Sequence, residues 1–160
     1  MMEIGYVPIM TSQRTIFEVI RRDHDTQRTL ASLLIETDGA SEGRAELWTR
    51  LKRELHAHAG AEERFFYVPL MEHDMTQEAA RHSVAEHKEL DDFIEQLDGD
   101  DMSDPQWLLT ARRFAERLTH HLDEEETEIY PVAGRVLTDA EKTSLGSEYV
   151  EDMERRRNDG

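Results

Sequence analysis

The 160-residue sequence contains no cysteine. This absence excludes disulfide bonds, thiolate zinc sites, cysteine-ligated iron–sulfur clusters and a cysteine nucleophile. A chain without thiols is compatible with a reducing compartment, and the cytoplasm is the simplest such compartment. The first ten residues also lack the basic cluster and apolar stretch of a secretory signal. We therefore expect a cytoplasmic protein.

Basic residues are scarce, with 19 Lys and Arg against 36 Asp and Glu and a formal net charge of −17. Nucleic acids and anionic lipids bind to basic surfaces, which a polyanion lacks. We therefore expect neither nucleic acid nor a membrane as a partner. No apolar run approaches the roughly 18–20 residues of a membrane-spanning helix. Apolar residues still make up 38% of the chain, which is enough for one domain with its own core.

The alternation of β-branched and polar residues that marks strands is absent, and we predict an all-α fold. Polar stretches at residues 37–43, 72–75 and 98–104 separate four long segments. Short connections between long helices favour an antiparallel up-down-up-down four-helix bundle. The predicted helices are residues 12–36, 44–71, 76–97, 105–136 and 139–155.

Two capping patterns mark helix starts. Asp104 followed by Pro105 is typical of an N-cap and the first helical position. Thr138 and Glu141 have capping-box spacing and should begin a short extra C-terminal helix. We divide the chain into an N-terminal tail (residues 1–14), the bundle (15–137) and a C-terminal short helix and tail (138–160). We expect the end of the chain, from Met153 onwards, to be solvated.

Half of the eight histidines interrupt apolar stripes. A helix turns about 100° per residue, so a stripe recurs at spacings of three and four. One histidine falls within the stripe of each long helix, and two of these histidines have a glutamate four residues later on the same face. The stripe residues are His24, His58 with Glu62, His87, and His121 with Glu125.

Such groups are costly to bury without partners, at several kcal/mol each. A hydrogen-bonded polar core could compensate for one of them. Four histidines and two glutamates at a common depth favour a metal ion, which would pair all of them at once. Imidazole and carboxylate ligands without thiolates suit iron or manganese, with zinc as an alternative.

The remaining histidines are expected to be solvated. His120 and Glu124 repeat the spacing of His121 and Glu125, but the neighbouring apolar residues place the core on the side of His121. The other three lie off the stripes or in a loop: His56, His73 and His82.

Helices 2 and 4 repeat each other, since residues 55–67 align with residues 118–130. Tyr67 and Tyr130 occupy equivalent places in this repeat. They either close the end of the bundle with hydrogen bonds at its rim, or serve the metal site as a hydrogen-bond donor, a redox-active residue or a substitute ligand. Acidic residues beside the ligands could accept an imidazole N–H or be solvated; they are Asp23, Glu63, Glu86 and Glu126.

The ordered pattern of His, His-x-x-x-Glu, His and His-x-x-x-Glu resembles the hemerythrin-like, HHE cation-binding family over residues 15–137. The family's ending, His-x-x-x-Glu-Glu followed by an aromatic residue and proline, stands at residues 121–131. The first copy departs slightly, with Val68 at the proline position and Pro69 one residue later. The resemblance implies two iron ions bridged by an oxo or hydroxo ligand, with manganese or zinc as alternatives.

One difference concerns Ser83. It occupies the position, one turn before the third histidine, where oxygen-carrying hemerythrins have an additional histidine. Each iron should then keep an open coordination position.

We expect a non-haem di-iron protein that binds, senses or reduces O2, peroxide or NO, or handles iron. Signalling would require a protein partner. A dedicated enzyme is not implied, although a di-iron peroxidase or oxidase is an alternative, as is a helical interaction module with a structural metal.

Overall fold

The computed structural model describes residues 14–159. Within this range the chain is helical and contains no strand. Two π-helical turns, Glu63–Tyr67 and Glu125–Ile129, continue the second and fourth long helices. The helices are α1 (Ile16–Leu34), α2 (Glu42–Glu62), α3 (Val68–Leu70), α4 (Asp74–Gly99), α5 (Pro105–Glu124), α6 (Tyr130–Val136) and α7 (Asp139–Asp159).

Helices α1, α2, α4 and α5 form the bundle, and the predicted all-α fold is confirmed. None of the helices within residues 14–159 has the length and apolar composition that crossing a bilayer requires. The predicted start of the first helix at Ser12, like residues 1–13 of the predicted tail, lies outside the described residues.

Capping residues determine where α1 and α7 begin. Thr15 forms a capping box with Glu18, in which each backbone N–H donates to the other side chain at 3.0 and 3.3 Å. This box starts α1 at Ile16 and was not recognised in the sequence. The predicted box of Thr138 and Glu141 is confirmed, with corresponding distances of 2.8 and 3.1 Å.

The core consists of two hydrophobic clusters along the bundle axis. One contains Ile20, Ala61 and Ile129, and the other contains Leu30 and Leu118. Along each bundle helix the stripe histidine lies between residues of the two clusters. The polar centre is therefore sealed by apolar packing above and below it.

Helix α7 packs against α1 and α2 and extends to Asp159, four residues beyond the predicted end. The expectation of a solvated chain end is wrong for two residues. Met153 is buried in the first cluster. Arg157 donates to Glu54 at 2.8 and 2.9 Å and to Asp23 at 3.1 Å, so the acidic faces of α1 and α2 hold it in place.

Candidate metal centre

Four histidines and two glutamates, contributed by all four bundle helices or by their π-helical continuation, meet in the middle of the bundle. They form two groups that share Glu62 and Glu125, and within each group one ligand atom per residue lies within 4.8 Å of the others. The first group adds His24 and His58, and the second adds His87 and His121. The structure thus brings together all six residues that the sequence pattern selected, and all six are buried.

Each glutamate lies between histidines of the two groups. The Glu62 Oε1 atom is 3.3 Å from His58 Nε2 and 3.1 Å from His87 Nε2. The Glu125 carboxylate is 3.0 Å from His24 Nε2 and 3.9 Å from His121 Nε2. Each carboxylate therefore lies within reach of a cation held by either group.

Several of the inward-facing atoms have no hydrogen-bond partner among the described residues. They are Nε2 of His24, His58 and His121 and both carboxylate oxygens of Glu62 and of Glu125. Leaving one buried polar group unpaired costs about 1–3 kcal/mol, and native interiors contain few such groups. A set of imidazole nitrogens and carboxylate oxygens converging on one space fits iron, manganese or zinc.

Carboxylates orient three of the four imidazoles from behind. His24 Nδ1 lies 2.7 Å from Glu126, His87 Nδ1 lies 3.0 Å from Glu63, and His121 Nδ1 lies 2.8 Å from Glu86. Since a carboxylate accepts, each of these Nδ1 atoms carries a proton, and each Nε2 faces the centre. Glu63, Glu86 and Glu126 are therefore placed where the sequence analysis suggested.

The fourth imidazole has a different partner, which the sequence analysis missed. His58 Nδ1 lies 2.7 Å from the Tyr149 hydroxyl, and that hydroxyl donates to Asp23 Oδ2 at 2.7 Å. Because the phenol gives its only proton to Asp23, it accepts the N–H of His58. Tyr149 belongs to α7, outside the internal repeat, and no spacing rule connects it with His58.

Tyr67 and Tyr130 are buried, and their hydroxyls have no hydrogen-bond partner among the described residues. The hydrogen bonds expected at the rim of the bundle are thus not observed. The Tyr67 ring lies 6.0 Å from the ring of His87, and the Tyr130 ring is stacked 6.3 Å from that of His24. Tyr67 ends the first π-helical turn and Tyr130 directly follows the second. Such turns often occur at functional sites, and the sequence analysis did not anticipate them.

Burial and mutual contacts shift the pKa values of several of these residues strongly. Burial alone would raise the pKa of Glu62, but the surrounding histidines lower it well below its usual range. Burial and the neighbouring Glu62 raise the pKa of Glu125. Burial opposes charge on His87, yet the adjacent carboxylates of Glu62 and Glu63 raise its pKa to about 9. Burial lowers the pKa of His121.

A narrow pocket adjoins the centre on the side of His58, His87 and His121. Its volume of about 20 Å³ is enough for one water-sized molecule. The Gln27 side chain also lines it, and neither of that amide's polar atoms has a hydrogen-bond partner among the described residues. The apolar part of the lining includes Leu55, Leu90, Ile94, Leu118 and Leu122.

The sequence model of the hemerythrin HHE cation-binding domain matches residues 15–133. The chain therefore belongs to this family of metal-binding helical bundles. A similar solved structure is that of a hemerythrin HHE cation-binding domain-containing protein from Mycobacterium kansasii. That chain is 28% identical, with a TM-score of 0.83, and the match covers 91% of the present chain and 88% of the other. No significant match was found among curated proteins.

Proposed function

We propose that the chain holds two iron ions in the buried centre and uses them to bind, sense or reduce O2, peroxide or NO, or to handle iron. The observation that carries this proposal is the pair of buried ligand groups sharing Glu62 and Glu125, with unpaired inward-facing atoms. In this assignment one ion has His24 and His58 as its own ligands. The other has His87 and His121.

A bound iron pair would supply reversible electron transfer and coordination positions for a small molecule. The chain's own residues have supporting roles. Glu126, Glu63, Glu86 and Tyr149 keep each Nδ1 protonated and each Nε2 turned inward. The hydrophobic clusters on either side exclude bulk water.

The pocket beside the centre supports a small ligand rather than a bulky organic substrate. Its volume of about 20 Å³ admits a molecule of the size of O2, NO or water. Gln27 places an amide with a free donor and a free acceptor in the lining. A diatomic ligand or peroxide therefore suits the space and its polarity.

Metal analysis of the purified protein tests the assignment. We expect two iron ions per chain, one for each ligand group, and a large loss of iron in His58→Ala and in His121→Ala. His56→Ala is the matched control for His58→Ala, because His56 is exposed on the same helix and should leave iron content unchanged. Retention of full iron content in both ligand variants would contradict the proposed centre.

A further inference from the structure

A second group of metal-ligating side chains lies on the surface between α4 and α5. The cluster comprises His82 and Glu86 on α4 and His120 and Glu124 on α5. The side chains of His82 and His120 are 60% and 58% exposed, whereas that of Glu86 is 9% exposed. The sequence analysis expected both histidines to be solvated, because they lie off the apolar stripes of their helices.

The spacing of these atoms suits a shared ion better than hydrogen bonds. His82 Nε2 lies 3.3 Å from Glu86 Oε2 and 3.5 Å from Glu124 Oε1, and His120 Nε2 lies 3.6 Å from Glu124 Oε2. Such distances exceed the usual 2.7–3.2 Å of an N–H···O hydrogen bond. Ligands held tetrahedrally at about 2.0–2.2 Å from one ion are separated by about 3.3–3.6 Å.

We propose that His82, Glu86 and Glu124, whose ligand atoms lie within 4.8 Å of one another, bind one divalent transition cation such as Zn²⁺ or Co²⁺. Imidazoles and carboxylates without thiolates suit such ions. The two carboxylates provide negative charge, within a chain whose formal net charge is −17. Arg117 is the nearby cation. Its Nη2 is 4.0 Å from Glu86, while its Nε donates to Glu89 at 2.7 Å. Arg117 therefore pairs with Glu89 more closely than with Glu86.

Glu86 connects this surface site with the buried centre. Its Oε1 accepts from His121 Nδ1 at 2.8 Å, while its Oε2 faces His82. A cation on Oε2 withdraws electron density from the carboxylate and weakens it as an acceptor, which changes the basicity of His121 as a ligand. This connection, unlike the surface site itself, rests on the proposed iron centre.

Equilibrium dialysis of the iron-loaded full chain against Zn²⁺ tests the surface site. With iron and zinc measured in the same samples, we expect one zinc per chain beyond the buried centre. His82→Ala and Glu124→Gln should each weaken this binding by at least about tenfold. His56→Ala is the control, since His56 is exposed on α2 and lines a different surface hollow.

Two results would overturn the surface site: no additional zinc in the natural protein, or undiminished zinc binding in a His82→Ala/His120→Ala double variant. Failure of the buried centre is separately visible as missing iron. The connection through Glu86 is tested by the visible spectrum of the bound iron. Zinc should shift this spectrum in the natural protein but not in His82→Ala, and an unchanged spectrum with zinc bound would refute the connection.

Discussion

Ser83 is the single residue that most separates this centre from that of the oxygen carriers. It lies one turn before His87 on α4 and is buried, and its hydroxyl has no hydrogen-bond partner among the described residues. A histidine at this position could reach the ion that His87 and His121 would hold. In the proposed centre, serine would leave a coordination position available to small molecules.

We therefore expect the reduced, iron-loaded protein to be oxidised rapidly by air and to consume peroxide. Ser83→His should slow the oxidation several-fold, because the new imidazole occupies the available position. Stopped-flow absorbance after mixing with aerated buffer measures the rate. Ser32→His, at an exposed position on α1, is the control and should behave like the natural protein. Slow oxidation that is reversed by removing oxygen would contradict this reading.

At the scale of elements, the position of α7 depends on a glycine. A Cβ atom at Gly146 would lie 2.7 Å from the Arg14 carbonyl oxygen and 2.9 Å from the Ile16 nitrogen. These are backbone atoms and cannot rotate away. The absence of a side chain at residue 146 thus allows α7 to approach α1 closely enough for Tyr149 to reach His58.

Gly146→Ala should push α7 outwards and reduce the free energy of unfolding by about 1–3 kcal/mol, the usual cost of overpacking. It should also speed the loss of iron to a chelator, because Tyr149 moves away from His58. Urea titration and chelator kinetics measure the two effects. Gly134→Ala is the control: its Cβ would meet nothing within 4 Å, so stability should be unchanged or slightly higher.

Tyr149→Phe separates the two contributions of α7. It removes the hydroxyl that accepts from His58 while keeping the ring in the hydrophobic core. Iron affinity should fall by about 10–100-fold, as for other residues that orient a ligand from behind. Unchanged iron release in Tyr149→Phe, alongside faster release in Gly146→Ala, would assign the effect to packing alone.

For the whole molecule, the buried charges predict that the stability of the metal-free fold and the affinity for iron change in opposite directions with pH. The pKa of His87 is raised from 6.5 to about 9. Protonated His87 therefore adds to the free energy of unfolding of the metal-free protein. This contribution is fully present below pH 6.5 and is lost as the pH rises to about 9. In the loaded protein the ions replace these protons, so iron affinity should increase over the same range.

Urea midpoints of the metal-free and iron-loaded proteins, measured across this pH range, test the expectation. The metal-free midpoint should fall as the pH rises, and the difference between the two forms should widen. A metal-free midpoint that rises over the same range would show that His87 is not stabilised as a cation in the fold.

The sequence by itself determined the four-helix bundle and the six residues of the candidate centre. Both depend on local periodicity: a helix turns by a constant angle, so spacings of three and four place His58 and Glu62, or His121 and Glu125, on one buried face. The internal repeat shows the His-x-x-x-Glu spacing twice, once in each half of the bundle. Glu63, Glu86 and Glu126 were selected as well, because each is adjacent in sequence to a residue of the candidate centre.

Only the tertiary structure decided which partners come from distant elements. Tyr149 reaches His58 because α7 folds back against α1, and 91 residues separate the two. His82 comes within 3.5 Å of Glu124 because α4 and α5 pack with these faces adjacent. The π-helical turns after Glu62 and at Glu125 likewise escaped the sequence analysis, because a constant 3.6-residue period contains no signal for one widened turn. Such features depend on packing between elements, which spacing within one element does not encode.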